Sequence, residues 1–432
     1  MLTDILVPRN RWDLLAPYPR STPTVTVIVT HFEQHHLLPR MALALRRQTL
    51  RPTQVILADD GSATEPDFKV QDVETLVVSQ PDEGFRAAAI RNLAARNSTG
   101  EVLVFLDADT VPEHGYLEKM VRHISRCPDV LATGHRRHTS FAGLRDDEQP
   151  GAADALDEPR WLKDAYADTA NLLHSDGRSF RFMIGAVLAC RRELFLDIGG
   201  FDERFVGYGG EDWDLAYRAW NAGAVFVHEH EAVAWHDGPD WAGRDEDSEI
   251  LDRQSARLAS VIPEPSTRGA PLNGLISDAL ITVRSAGKFS DVVRTVHSLL
   301  RQTHRDLRVR LWPQDDRLTE IYEGVVQSAP WTEDQLRRAR VLVDVYEPLP
   351  RSAVRRVVEA LTVSDNGQVE LIREEQLAGV AWSTRAIGRA RRWSPRFTRG
   401  EILERAFGTD RLLVEAENDR TRTLDGFFSR WH

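Results

Sequence analysis

Two acidic pairs stand out for the chemistry they could do together. Leu103-Val104-Phe105-Leu106 runs straight into Asp107-Ala108-Asp109. Residues i and i+2 of an extended segment point the same way, so Asp107 and Asp109 are expected to face one site. Converging carboxylates repel unless a positive charge lies between them. A hard divalent ion carried by a nucleotide diphosphate would supply it. An acidic turn after a strand is the plain alternative. The second pair, Glu211-Asp212, follows the stretch Gly207-Tyr208-Gly209-Gly210 and opens a helix. Unpaired amides at a helix start favour a charged carboxylate, and a general base must be ionised beside its substrate hydroxyl. Capping of the helix would also account for both acids. His236 could offer a neutral nitrogen to a divalent ion, although a single histidine is more often structural. Arg86 and Arg91 belong to an alanine-rich helix, where a guanidinium fork suits a phosphate. Solvated helix residues are the alternative there.

The intervening pattern supplies elements to hold these groups. Val25–Thr30 is a β-branched run suited to a central strand. A helix is expected from Leu37 to Gln48. A second strand, Gln54–Ala58, ends in Asp59-Asp60-Gly61-Ser62. Strand, helix and strand with polar residues at the carboxyl end open a ligand crevice. A third strand is expected at Glu74–Ser79, then a glycine loop into a helix over Phe85–Arg96. Pro112 suits the first turn of a helix over Gly115–Arg126, followed by a short strand at Val130–Thr133. His135–Pro159 reads as a polar loop or lid, and its His135, Arg136, Arg137 and His138 could face the site, with a solvated loop as the equal alternative. Phe182–Arg192 reads as a buried strand, and Val225–Val227 and Ala232–Trp235 as two short ones. No dinucleotide glycine fingerprint follows the first strand, which weighs against a nicotinamide enzyme.

Composition narrows the class. With 432 residues, 42% hydrophobic and 28% charged, the chain has the make-up of a globular protein of two or three domains. A net charge of -11 weighs against a general nucleic-acid binder. Cys127 and Cys190 alone make no disulfide framework, and a reducing compartment fits. The first twenty residues hold no apolar core of secretory length, and no stretch has the length of a membrane helix. The expectation is a cytoplasmic protein, with peripheral contact at the inner face of a membrane left open.

After a linker over 237–273 the opening pattern returns. Ala279–Arg284 resembles Val25–Thr30, and Ser298–Thr303 resembles Ala44–Thr49. Leu307–Leu311 with Asp315-Asp316 resembles Gln54–Leu57 with Asp59-Asp60. A second domain is therefore expected over 270–432, related to the first half of a domain over 1–262. It has no Asp-x-Asp after a β run, since the nearest candidate, Asn366–Ile372, ends in Arg373-Glu374-Glu375. It also has no Gly-Gly-Glu-Asp. Arginines 385, 389, 391, 392, 396 and 399, with Trp382 and Trp393, suit an anionic acceptor or a membrane surface. A solvated helix face explains them as well.

Taken in order, residues 24–236 resemble glycosyltransferase family 2. Val25–Thr30 with His31 to Glu33 is similar to the family opening, Asp59–Ser62 to its nucleoside segment, and Asp82–Asn92 to its loop and helix. Asp107-Ala108-Asp109 is similar to the metal motif. Gly207–Asp212 resembles the Gly-Trp-Gly-Gly-Glu-Asp segment of chondroitin-polymerase-like and galactosyltransferase enzymes, with Tyr208 in place of tryptophan. The first strand departs at Thr30-His31, where Thr-Tyr is common. The resemblance implies an α/β GT-A nucleotide-diphospho-sugar transferase fold: a mostly parallel, Rossmann-like sheet flanked by helices. A degenerate α/β accessory domain of related type would follow.

The implied activity is inverting, metal-dependent transfer from a nucleotide sugar, by family expectation a UDP-sugar, of the hexosyl or N-acetylhexosaminyl type. The acceptor hydroxyl would belong to a polysaccharide, glycolipid or secondary metabolite. Mn²⁺ or Mg²⁺ would sit on Asp109, Asp107 and His236. Thr30, Glu33, Asp59, Asp60, Arg86, Arg91 and Asp107 would contact the donor, and Tyr208 and Trp213 the acceptor. Asp212 would be the base and Glu211 would orient the acceptor. One rival is a nucleotidyltransferase acting on a sugar phosphate, which would release pyrophosphate. Another is a non-catalytic carbohydrate-binding or scaffold protein, against which the intact acids at 107, 109, 211 and 212 weigh.

Overall fold

The computed structural model describes residues 4–16, 22–207, 209–239, 248–272, 276–284, 287–415 and 424. Two compact units emerge: Met1–Trp220 with Ala224–Leu258, and Asn221–Gly223 with Ala259–His432.

The strands of the first unit are β1 (Val25–His31), β2 (Gln54–Asp59), β3 (Glu74–Ser79), β4 (Val102–Asp107), β5 (Thr110–Pro112), β6 (Val130–Thr139), β7 (Val187–Arg191) and β8 (Val225–Asp237). They form one sheet in the order β3-β2-β1-β4-β7-β6-β8-β5. Its helices are α1 (Leu38–Arg46), α2 (Ala87–Arg96), α3 (Tyr116–Ile124), α4 (Arg160–Asp168), α5 (Arg192–Asp197), α6 (Glu211–Asn221) and α7 (Ser248–Val261). β1, β2 and β4 are buried almost throughout because both faces of the sheet are covered. Alternate residues serve opposite faces. Val27, Val29 and Val104 share a core with Met41 and Leu45 of α1 and Met120 of α3. On the other face Phe105 meets Phe195 and Phe201 at ring separations of 5.3 and 5.5 Å. Truncating Phe105 to alanine would cost about 3–5 kcal/mol.

The parallel pairing decides where the polar strand ends fall. His31 lies opposite Asp59 on β2, and Thr30 lies opposite Asp107 on β4. The carboxyl ends of three strands therefore open onto one edge, which is where a sheet of this kind receives ligands.

The structure departs from the expected elements at several points. The His135–Pro159 loop begins later, because β6 continues to Thr139. Residues 135–139 pair with 233–237 of β8, after a register shift between Gly134 and His135. The two short strands at 225–227 and 232–235 are one strand of 13 residues. Backbone pairing carries a polar segment that hydrophobic periodicity does not reveal. Pro112 ends β5, where Thr110 pairs with His236, and does not start a helix. The strand expected over 182–192 is confined to 187–191.

The second unit has strands β9 (Ala279–Val283), β10 (Leu307–Leu311), β11 (Val326–Gln327), β12 (Val341–Val345), β13 (Gln368–Arg373), β14 (Gln376–Ser383) and β15 (Thr409–Leu413). Its helices are α8 (Pro265–Arg268), α9 (Phe289–Leu300), α10 (Asp316–Ile321), α11 (Glu333–Arg338), α12 (Ala353–Thr362), α13 (Thr384–Trp393) and α14 (Arg399–Ala406). The sheet order is β11-β10-β9-β12-β14-β13-β15. Its parallel run β11-β10-β9-β12 followed by antiparallel β14 repeats β3-β2-β1-β4 followed by antiparallel β7. The strand in the place of β4 is thus β12, not the 366–372 run. It is followed by Tyr346-Glu347-Pro348 instead of Asp-x-Asp.

Candidate active site

Arg91 is the hub of the site in the first unit. It lies on α2, whose small alanines at 87, 88, 94 and 95 are buried and bring the helix close to the sheet. Its Nε donates to Thr30 Oγ1 at 3.0 Å, its Nη2 to Asp107 Oδ1 at 2.7 Å and its Nη1 to Glu211 Oε1 at 2.8 Å. The side chain is only 4% exposed. Burial opposes its charge, but Asp107 and Glu211 outweigh burial and raise its pKa. Arg91 is therefore spent inside the protein and is not a free arm for a phosphate.

Asp107 and Asp109 diverge, because the chain turns after β4 and extended geometry does not persist. Asp107 belongs to Arg91. Asp109 Oδ2 accepts from Gln34 Nε2 at 3.0 Å and lies 3.7 Å from His236 Nε2. The Nδ1 of His236 is 3.2 Å from the Gly238 carbonyl, to which it can only donate. In the neutral ring Nε2 then carries the lone pair and faces Asp109, the arrangement typical of a metal-binding imidazole. One ion about 2.1 Å from each ligand atom could bridge that separation. Among the described residues no three His, Cys, Asp or Glu side chains form a metal cluster by themselves. The pair Asp109 and His236 fits an ion that takes its remaining ligands from elsewhere. His138 stands beside it, its ring 5.0 Å from that of His236. Of the other β6 residues, His135 and Arg137 meet Glu158 at 3.2 and 3.6 Å.

The loops after β1 and β2 form a bonded frame. Asp59 is buried, with its Oδ1 2.8 Å from His31 Nδ1 and 2.6 Å from Ser62 Oγ. Burial pulls the His31 pKa down against Asp59. For Asp59, burial would raise the pKa, but the Ser62 and His31 hydrogen bonds outweigh it and lower it. Asp60 accepts from Gln80 Nε2 and from the Arg86 amide. Gly61 has φ +94° and no room for a side chain, since a Cβ would lie 2.4 Å from the Asp82 nitrogen. Glu33 accepts from the Ala63 amide at 2.6 Å. Arg86 is tied to Glu83 at 2.6 Å and to the Pro81 carbonyl at 2.8 Å. Asp59 and Asp60 therefore shape this edge through internal bonds.

Glu211 and Asp212 open α6, behind a turn in which Gly207, Gly209 and Gly210 all have positive φ. A side chain at any of these positions would be strained. Asp212 Oδ2 accepts from the Gly185 amide at 3.1 Å and Oδ1 from the Trp213 amide at 2.8 Å. Burial first, then the charge of Glu211, push its carboxyl up to about 7, against these amides and Arg91. A carboxyl poised near neutral pH suits a general base. Trp213 is half-buried and meets Phe180 edge to face at 6.4 Å. Tyr208 lies outside the described residues. Sequence reasoning missed Gln34 and Gly185. Gln34 gave only its nearness to His31 and Glu33, and Gly185 acts through a backbone amide that no side-chain pattern reports.

The second unit has no counterpart to this constellation among its described residues. Glu347, after β12, is held by Arg373 at 3.2 Å.

Comparison with known proteins places relatives over the first unit. Residues 26–199 match the glycosyl transferase family 2 model, and residues 175–230 match the N-terminal domain of galactosyltransferase. Asp107 and Asp109 fall in the first match and Glu211 and Asp212 in the second, while His236 lies beyond both. Chondroitin synthase of Escherichia coli is 25% identical over 333 residues, 68% of this chain and 48% of that protein. Pre-mycofactocin glycosyltransferase of Mycobacterium tuberculosis is 33% identical over 241 residues, 53% of this chain and 47% of that protein. Validoxylamine A glucosyltransferase of Streptomyces hygroscopicus is 28% identical over 229 residues, 47% of this chain and 50% of that protein. The chain thus spans about half the length of these relatives. A crystal structure of GalNAc-T7 with UDP, GalNAc and Mn²⁺ aligns at a TM-score of 0.40 and 18% identity, over 59% of this chain and 52% of that one, too loosely to bear an argument. The chain carries a GT-A-like domain of glycosyltransferase family 2.

Proposed function

We propose that the first unit is an inverting, metal-dependent glycosyltransferase that moves a sugar from a nucleoside-diphosphate donor, of the uridine type, to an acceptor hydroxyl. Arg91 carries the reading. One buried guanidinium bonds both the end of β4 and the start of α6, segments whose acids suit the two ends of a transfer reaction. Asp212 takes the proton of the acceptor hydroxyl as that oxygen bonds to the anomeric carbon from the face opposite the departing diphosphate. The glycosidic bond to the diphosphate breaks, and the configuration inverts. The Gly185 and Trp213 amides hold the Asp212 carboxylate in place, and each oxygen keeps a lone pair for the acceptor. Glu211, fixed by Arg91, orients the acceptor, with Trp213 as an aromatic surface beside it. Asp109 and His236 would hold Mn²⁺ or Mg²⁺, which supplies positive charge to the leaving diphosphate. Thr30, Glu33, Asp59, Asp60 and Arg86 frame the nucleoside side, and Asp107 acts through Arg91.

The second unit serves this reading as an accessory domain without metal-dependent transfer of its own. The acceptor class runs from polysaccharide to small natural product. The test is a panel of UDP- and GDP-sugars with Mn²⁺ and candidate acceptors, with products identified. Release of nucleoside diphosphate with a glycosylated acceptor supports the reading. Release of pyrophosphate from a nucleoside triphosphate and a sugar 1-phosphate added to the same panel, with no transfer from any nucleotide sugar, would make the protein a nucleotidyltransferase instead.

A further inference from the structure

The second sheet carries a cationic, aromatic face that the transferase reading does not use. Arg310, Thr282 and Asp344 lie side by side on the adjacent strands β10, β9 and β12. Val380 on β14 continues the row, and Trp382 follows it on the same face. The opposite face is closed, since Ile281, Val309, Val343 and Ala381 belong to a buried core with α9 and α12. On the face in question, the guanidinium of Arg310 lies over the ring of Trp312 at 5.2 Å. Arg399 lies over the ring of Trp382 at 4.7 Å. Trp312 is 50% exposed. Between them Trp331 donates its Nε1 to Thr282 Oγ1 at 3.3 Å, which fixes a third indole on the surface.

The charges there are not balanced. Arg310 meets no carboxylate among the described residues, and its Nε is buried without an acceptor. A buried donor left so costs free energy until something accepts from it. The Arg399 side chain makes no hydrogen bond among the described residues and has only the more distant charge of Asp344. The nearby acids are already engaged: Asp344 by Arg284 at 2.6 Å, Asp315 by Arg317 at 2.8 Å and Glu370 by Arg411 at 2.9 Å. In a chain of net charge -11, this face therefore keeps two arginines whose donors remain to be used.

We propose that this face of the second unit binds an acidic saccharide, one whose rings carry carboxylate or phosphate groups. A guanidinium held over an indole face spends no N–H donor on a hydrogen bond there, so its fork is left to grip carboxylate or phosphate by two parallel bonds. The half-exposed indole of Trp312 offers apolar surface for a sugar ring. Arg310 on β10 and Trp382 on β14 are separated by three strand spacings, about 14 Å. That span calls for an extended chain and not for a single ion. The site stands apart from the Asp212 chemistry, so its failure would leave the transferase reading intact.

The test uses the full chain and calorimetry with three sugar probes: an oligogalacturonate hexamer, its fully methyl-esterified counterpart and a phosphorylated oligomannose. The acidic probes should bind, at least one of them clearly, with affinity that falls as salt rises. Arg310→Gln and Arg399→Gln should each weaken that binding about tenfold, in line with the loss of a charge-assisted bond. Arg310→Lys should be intermediate, and none of the three should alter donor hydrolysis at the first unit. Equal binding of the methyl ester would overturn the acidic requirement. Binding unchanged in both glutamine variants would overturn the site. Equal affinity for a thymidine oligonucleotide or for anionic phospholipid vesicles would replace the saccharide with a general polyanion surface.

Discussion

Replacing Arg91 with methionine tests the hub of the site, and its cost can be worked from the geometry. The change keeps much of the apolar stem and removes a guanidinium that bonds Asp107 at 2.7 Å, Glu211 at 2.8 Å and Thr30 at 3.0 Å. The two carboxylates respond differently. The Asp107 side chain is 31% exposed and can turn to water, whereas that of Glu211 is 10% exposed and is left with an uncompensated charge. Breaking a buried pair on one side costs about 3–5 kcal/mol. For a unit of this size that lowers the melting temperature by roughly 6–20 °C. Adding Glu211→Gln to Arg91→Met should recover much of the loss, because a neutral amide needs no counter-charge. The assay is urea and thermal unfolding of the single, double and wild-type proteins at pH 7. A single variant within about 1 kcal/mol of wild type, or a double variant no better than the single, would refute the assignment of Arg91 as a buried clamp.

Other outcomes follow from the same geometry. Asp109→Ala should abolish the Mn²⁺ dependence of nucleoside-diphosphate binding in calorimetry, since it removes an oxygen ligand from the pair with His236; unchanged metal dependence would remove Asp109 from the metal site. Glu211→Gln should raise the acceptor KM more than it lowers kcat if its contacts serve ground and transition state alike, and a pure kcat effect would contradict that role. Asp212→Asn should stabilise the fold at pH 8 in thermal melts. Its folded pKa is raised, to about 7, so the stabilisation given by the protonated carboxyl is complete below the unfolded value near 4 and lost as pH rises through about 7. A neutral asparagine does not pay that penalty, and an unchanged melting temperature at pH 8 would argue against a perturbed Asp212.

The parts of the site legible in the sequence were those with a local signature. β1, β2 and β4 announce themselves because strands covered on both faces must be apolar on both. The turn before Glu211 announces itself because three positive φ angles need glycine. The role of Arg91 was not legible, since its partner Glu211 lies 120 positions away and helix periodicity says nothing of what a buried cation meets. The extension of β6 through His135–Thr139 rests on backbone bonds to β8, to which side-chain polarity is indifferent. Asp107 and Asp109 followed from alternation only up to the strand end, where the chain turned and sent them to different partners. In the second unit, Val341–Val345 carried a β-branched signal, but only its pairing beside β9 identifies it as the counterpart of β4.

The most direct test of the proposed chemistry is single-turnover transfer by Asp212→Asn across pH, beside calorimetric donor affinity with Mn²⁺. Donor affinity should be unchanged, since the donor and metal roles fall to other residues. Transfer should drop by roughly 10²–10⁴-fold, the usual worth of a positioned base. The wild-type rate should rise with pH through a midpoint near 7, where the Asp212 carboxyl gives up its proton, and the variant should lose that limb. Near-normal transfer by Asp212→Asn, or the same acid limb in both proteins, would contradict the account and leave Asp212 as a helix cap.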